Sequence, residues 1–506
     1  MYRFVVVAAW VLLSFGYSHG AYLTDLHRRL DWGWRFSLDA DYTALAPGYD
    51  DSSWRRVDLP HDWSVECDFG YNPGCTPAAV GWYRRDFEYD PWDDCDRMLL
   101  YFEGVYMNSE VWVNGHYAGG HLGGCAPFYV DMAPYLKPGP GNVIAVKVDN
   151  SAMGDRNPHS GAGICRSVYY TGAPRVEIIP KSMEVTTPVV TADSASVNVR
   201  FLVENRTDTV ASLNMNLNSV IPDRGSIPIK TEFTAAPHDT TEINMSFMVD
   251  DPAIWSPDSP VSCFLMARLY QGNDRIDTEI LRYLIRRLEY VDGVAKLNGE
   301  PIRIVGACVD HTNGMIGALG YRDAEIRKAQ LLKNAGFNAV CMADSNPPSP
   351  AFMDACCVHG LIVVDGVDDT FDRWSQSEIV PFDYAESDTL KSFGEPAAIR
   401  ITVDREGIGS GDLAYALVEI VDSDGNLVTD ADNHLMFEAN HKGSVFAVGN
   451  TDLPDCHAYN SSCEARKGRA LCVLRSVLGD GDFELRVTSP GLPAATVTLR
   501  RIIRII

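Results

Sequence analysis

The side chains in this chain best equipped for chemistry are carboxylates and one histidine that follow short apolar runs. Asp310 and His311 come after Ile302-Arg-Ile-Val305. Asp365, Asp368 and Asp369 come after Leu361-Ile-Val-Val364. Carboxylates and imidazoles gathered in one cleft can transfer protons or attack an electrophilic carbon. If the apolar runs are parallel strands, their C-terminal ends share one face and these side chains line one polar pocket. The blander reading makes each of them part of a solvated loop, and the sequence alone leaves both open. No Gly-rich phosphate loop, zinc-type Cys/His spacing or nucleophile elbow accompanies them. The residues therefore imply neither a metal nor a cofactor.

Other polar and sulfur-bearing residues read as structural. His61 and Asp62 stand between Pro60 and Trp63, where a turn-stabilising pair is expected. Trp54, Trp63, Trp82 and Trp112 each carry enough apolar area to anchor a sandwich core. There are 13 cysteines. An odd number leaves at least one unpaired in a monomer even where disulfides form. Cys67 and Cys75 flank one loop and Cys456 and Cys463 another, so each pair is a candidate local bridge. Adjacent Cys356 and Cys357 fit core packing. Asn205, Asn244 and Asn460 stand in glycosylation sequons.

The elements that must position these residues change along the chain. The first twenty residues, with Arg3 ahead of the apolar run Phe4–Phe15 and small residues at Ser18 and Gly20, read as a secretory leader. Residues 21–175 hold short apolar runs broken by turn residues, and Val113-Asn-Gly-His116 is a hairpin signal. Many short strands without a helical period imply a jelly-roll sandwich. Residues 176–287 show period-two alternation, as in Ser196-Val-Asn-Val-Arg-Phe-Leu-Val203, and suit an immunoglobulin-like sandwich. Residues 288–374 alternate strand runs with the helical spacing of Ile326, Ala329, Leu332 and Ala335, which implies parallel strands under helices. Residues 375–392 are a polar linker, and strand texture returns across 393–506. The fold class expected is mainly β and multidomain: jelly roll, immunoglobulin-like sandwich, incomplete (β/α) barrel segment and C-terminal immunoglobulin-like sandwich.

Composition narrows the partners. A formal charge of −25 opposes binding to nucleic acid, whose phosphates reward Lys and Arg. Hydrophobic residues at 46% suit a globular protein, and no run after the leader reaches membrane-spanning length. A secreted or extracellular location, or a lysosome-like compartment, is expected.

Several stretches, in order, resemble family 2 glycoside hydrolases of the β-galactosidase type. They begin with Asp51-Ser-Ser-Trp54, Leu59-Pro-His-Asp-Trp63, Gly81-Trp-Tyr-Arg-Arg85 and the run from Phe102 to His116. Ser160-Gly-Ala-Gly-Ile164 with Arg166 follows, then Pro252 to Pro260, Leu297-Asn-Gly-Glu-Pro301 and Asn346-Pro-Pro-Ser-Pro350. Phe393-Gly-Glu-Pro-Ala397, Asp412-Leu-Ala-Tyr-Ala416 and Val448-Gly-Asn450 complete the series. The resemblance implies a carbohydrate partner, a β-galactoside or related glycan. It also implies a retaining mechanism, with two glutamates about 5–5.5 Å apart on late strands of a (β/α)₈ barrel.

Such a barrel needs on the order of 250 residues, whereas here the α/β stretch runs only from Leu297 to Trp374. The family's acid/base follows an Asn, and no Asn-Glu dipeptide occurs anywhere in the chain. Neither catalytic glutamate can be placed. The family's double His after the first strand reads Asp310-His311. Its Arg and His after the second strand are missing from Val340-Cys-Met-Ala-Asp-Ser345, and its Asp-Glu after the third reads Asp368-Asp369. Asp310, His311, Asn346, Asp368 and Asp369 are thus remnant sugar-facing positions with no catalytic assignment. The expectation is a hydrolase-family chain without activity, serving as a carbohydrate-binding or interaction protein. The alternatives are an active β-glycosidase with a rearranged or partner-completed site, or an incomplete gene reading.

Overall fold

Alternation of apolar and polar residues drives most of this chain into strands, because successive side chains in a strand point to opposite faces. In the computed structural model, described for residues 28–66, 79–91, 95–151, 161–342, 346–364, 394–450, 457–458, 460–477, 479 and 481–502, the strand Ser194–Asn205 buries Ala195, Val197, Val199, Phe201 and Val203 on one face. It pairs antiparallel with Asp239–Asp250 and Glu184–Val190. A second antiparallel sheet, built on Ala211–Ile221 and Cys263–Gln271, closes this sandwich over a core containing Phe201, Leu217 and Leu265.

The domain before it packs a six-stranded antiparallel sheet on a four-stranded one. Its hairpin turns at Asn114 and Gly115, with φ of 51° and 83°, the left-handed pair that an Asn-Gly turn needs. The C-terminal domain is a sandwich of two five-stranded sheets around Val418, Phe437, Leu474 and Phe483. The class found is the mainly β, multidomain one expected.

Between the sandwiches, three strands run parallel: Gly306–Val309, Ala339–Met342 and Ile362–Val364, in register at Gly306, Ala339 and Ile362. Helices α1 (Arg322–Asn334) and α2 (Pro350–His359) connect them. In α2, Ser349 accepts from the Phe352 amide at 3.0 Å, Pro350 opens the first turn and Gly360 leaves it at φ 74°.

One expected strand moves. Ile302–Val305 stays outside the ladder, and the first parallel strand begins at Gly306. Asn338 takes the place of a ladder here, accepting from the Val305 amide and donating to the Arg303 carbonyl, both at 2.8 Å. Ile302 and Ile304 instead pack under the sheet against Trp255, Leu297 and Ile362.

A three-stranded parallel sheet has two open edges, so it needs outside support. The C-terminal sandwich supplies Leu413, Tyr415 and Phe446 against Ile316, Leu319 and Tyr321. Trp255 of the second sandwich, fully buried, donates from its indole N–H to the Cys357 carbonyl at 2.8 Å. Ion pairs Arg405–Asp323 at 2.6 Å and Arg282–Asp354 at 2.5 Å reinforce both contacts.

The sequon at Asn205 needs correcting. Its side chain is fully buried, donates to the carbonyls of Thr209 and Ala235, and accepts from Thr207, so no glycan can be attached there in the folded chain. Asn244 and Asn460 are exposed. Cys356 and Cys357 are buried as expected. The leader over 1–20, Cys67, Cys75, Cys456, the linker 375–392, Asp365, Asp368 and Asp369 lie outside the described residues. No helix of the described residues is long and apolar enough to cross a membrane.

Candidate functional site

Parallel strands place their C-terminal ends on one face, and here that face meets the first domain. His311 follows the first strand and is 5% exposed; Asn346 follows the second and is 8% exposed. The Asn346 amide nitrogen stands 3.3 Å from His311 Nδ1. Asp310, beside them in sequence, turns into its own loop. Its Oδ1 accepts from the Thr312 amide at 2.9 Å and from the Thr312 hydroxyl at 2.6 Å, the geometry of an Asx turn. The sequence-predicted set therefore divides: His311 and Asn346 meet, Asp310 caps a turn, and Asp368 and Asp369 are not described.

The first domain contributes residues that strand-end reasoning misses. Tyr106 stacks on the His311 ring, with centroids 5.8 Å apart and planes 16° apart. Its backbone is fixed by a reciprocal pair with Gly163, both bonds 2.8 Å. Gly124 packs into the same corner. A Cβ there would lie 2.4 Å from the Tyr106 ring and 2.7 Å from Asn346 Oδ1, so only glycine fits without displacement.

Arg166, 3% exposed, crosses from the first domain to the barrel segment. Its guanidinium donates to the carbonyls of Cys125 and Pro347, both at 2.8 Å. Gly104 and Gly320 lie against its methylenes, where a Cβ would come to within 2.8 Å and 3.0 Å. The signals for this group were present in the run Phe102–His116 and in Arg166, but only folding brings them to His311.

Asp62 fastens the same junction. It caps the turn Trp63–Val65 through the Ser64 amide and accepts from the amides of Ala162 at 2.9 Å and Ala318 at 3.2 Å. Burial pushes its carboxyl above the usual carboxylate range, while those hydrogen bonds pull the other way. Its turn-stabilising role extends across two domains.

The other carboxylates around the sheet are also committed. Asp323 is paired with Arg405 and accepts from the Leu413 amide. Glu325 accepts from Asn313 and pairs with Lys328, and Asp354 pairs with Arg282. Among the described residues the site offers an imidazole, an amide, a phenol ring and ordered backbone groups. Those groups can orient hydroxyls by hydrogen bonding and stacking. A nucleophile and an acid facing each other across a bond are not assembled from them.

Comparisons with known proteins agree with this architecture. Residues 27–174 match "Glycosyl hydrolases family 2, sugar binding domain", and residues 399–498 match "Glycoside hydrolase family 2 C-terminal domain 5". The chain is 33% identical over 363 residues to β-galactosidase BoGH2A of Bacteroides ovatus, covering 70% of this chain and 42% of that protein. It spans less than half the length of the first curated relatives it matches. Among solved structures, a family 2 member from Bacteroides cellulosilyticus superposes with a TM-score of 0.84 at 20% identity, covering 94% of this chain and all of that one. A Bacteroides uniformis β-glucuronidase superposes at 0.61 and 22% identity, covering 68% of this chain and 42% of that one. At these identities the structural likeness speaks for the fold.

Proposed function

Because the chain belongs to glycoside hydrolase family 2, we propose that it is a secreted, β-galactosidase-type member that binds carbohydrate without hydrolysing it. The observation that carries this reading is the state of the carboxylates. Retaining hydrolysis needs two of them free to flank one bond, and those around the described parallel strands are held in turns, caps and ion pairs.

What supports binding is the buried cluster of His311, Asn346 and Tyr106 at the strand ends, whose aromatic and amide groups are of the kinds that meet a sugar's faces and hydroxyls. The match of residues 27–174 to a sugar-binding domain points the same way. A β-galactoside is the first candidate, from the B. ovatus relative, and a β-glucuronide the second. Secretion rests on the leader-like first twenty residues.

Glycan-array binding followed by calorimetry tests the reading. The full chain should bind a β-linked galactoside or glucuronide, and His311→Ala or Asn346→Ala should weaken binding at least tenfold while the chain stays folded by circular dichroism. Absence of glycan binding, or binding indifferent to both variants, would overturn it.

A further inference from the structure

We propose that Cys125 and Cys165 form a disulfide that locks two first-domain loops behind the candidate site. Their sulfurs lie 3.5 Å apart, and both residues are completely buried. A disulfide bond length is about 2.0 Å, so each sulfur need move by well under an ångström on average.

The loops that carry them are already in register. The Cys125 amide donates to the Val105 carbonyl at 3.0 Å, and the Arg166 amide donates to the Gly104 carbonyl at 3.2 Å. The Arg166 guanidinium closes the circuit on the Cys125 carbonyl. A covalent link would therefore fix an arrangement the backbone already prefers, with little ordering left to oppose it. It would also tie Gly124, one residue from Cys125, to the position that leaves room for Tyr106 and Asn346.

The chemistry balances with a glutathione-type disulfide as oxidant. One cysteine thiolate attacks a sulfur of that disulfide and releases a thiolate, leaving a mixed disulfide. The second cysteine thiolate attacks the protein sulfur and releases the other thiolate. Two protein thiols lose two electrons and two protons; one small disulfide gains both and becomes two thiols.

The timing follows from burial. In the closed structure, the hydrogen bond to Cys125 and then desolvation push the Cys165 thiol well above its usual range. Such a thiol supplies almost no thiolate, so the bond forms while the loops close and resists exchange afterwards. This inference stands apart from carbohydrate binding, and uses the expected secretion only for the source of the oxidant.

The test is to refold the full reduced chain in a glutathione redox buffer, block remaining thiols with maleimide under denaturing conditions, and digest without reduction. Mass spectrometry should find the Cys125 peptide linked to the Cys165 peptide, lost on adding dithiothreitol. Cys125→Ser and Cys165→Ser should each leave the other cysteine open to maleimide. The same mapping on protein exported to a bacterial periplasm covers a failure to refold. Cys125 and Cys165 both carrying maleimide, or each bonded elsewhere, would overturn the proposal.

Discussion

Gly124 shows how tightly the candidate site is specified by single residues. One methyl group would contact the Tyr106 ring and the Asn346 amide at once. Gly124→Ala should therefore abolish glycan binding and lower the thermal midpoint by several degrees, whereas Gly48→Ala, which meets nothing within 4 Å, should change neither. Calorimetry and a melting curve for each variant check this. Asn205 is a second such point. Asn205→Ala would strand the backbone groups it satisfies and should cost about 1–3 kcal/mol in a denaturant titration. At this scale the sequence was half legible. The family resemblance supplied Asn346, and strand-end logic found His311, because a polar residue after an apolar run is a local pattern. It could not find Tyr106, Gly124 or Arg166, whose role depends on a contact between distant parts of the chain. It also could not tell that Asp310 would be consumed by Thr312.

Among the elements, the parallel sheet depends most on its neighbours. The helical spacing of Ile326, Ala329, Leu332 and Ala335 located α1, and turn chemistry located the Asn114-Gly115 hairpin. The first parallel strand was misplaced because Ile302–Val305 is more β-branched than Gly306-Ala-Cys-Val309. Packing under Trp255 decided against propensity. Trp255 thus holds the sheet from below and fixes the α2 end through the Cys357 carbonyl. Trp255→Phe keeps most of the apolar area and loses the hydrogen bond; Trp255→Ala loses both. The expected costs are about 1 kcal/mol and about 3–5 kcal/mol. Native-state proteolysis should show cleavage within residues 306–364 rising in the same order. Equal resistance in all three proteins would mean that the sheet stands without the second sandwich.

Across the whole molecule, the junction of the first two domains carries buried acid groups. Burial pushes Asp277 up to about 7, against the amides of Ile178 and Thr278 that it accepts from. Burial raises Glu279 and Glu177 beside it as well, the latter despite its pairing with Arg97 and Arg206. A raised folded-state pKa gives stability that is complete below the unfolded value, near 3.8 for Asp277, and declines as pH rises to about 7. The thermal midpoint should therefore be higher at pH 5 than at pH 8, and Asp277→Asn should narrow that difference. Lys181, pushed down to about 8 by burial, acts between there and its ordinary 10.5, above this window. Glu66, held at about 2 beside His61 and Arg55 despite its burial, acts below it. A midpoint that rises from pH 5 to pH 8 would contradict the assignment.

We propose that the chain binds carbohydrate without a retaining pair of carboxylates, and a 2-deoxy-2-fluoro β-galactoside with a good leaving group tests that proposal most directly. In a working retaining enzyme the nucleophilic carboxylate attacks the sugar and the covalent intermediate persists, adding the mass of one fluorosugar. Incubated with the full chain and measured by intact-protein mass spectrometry, the sugar should add nothing. A stoichiometric adduct, mapped to Asp310, Asp365, Asp368, Asp369 or any other carboxylate, would contradict the account.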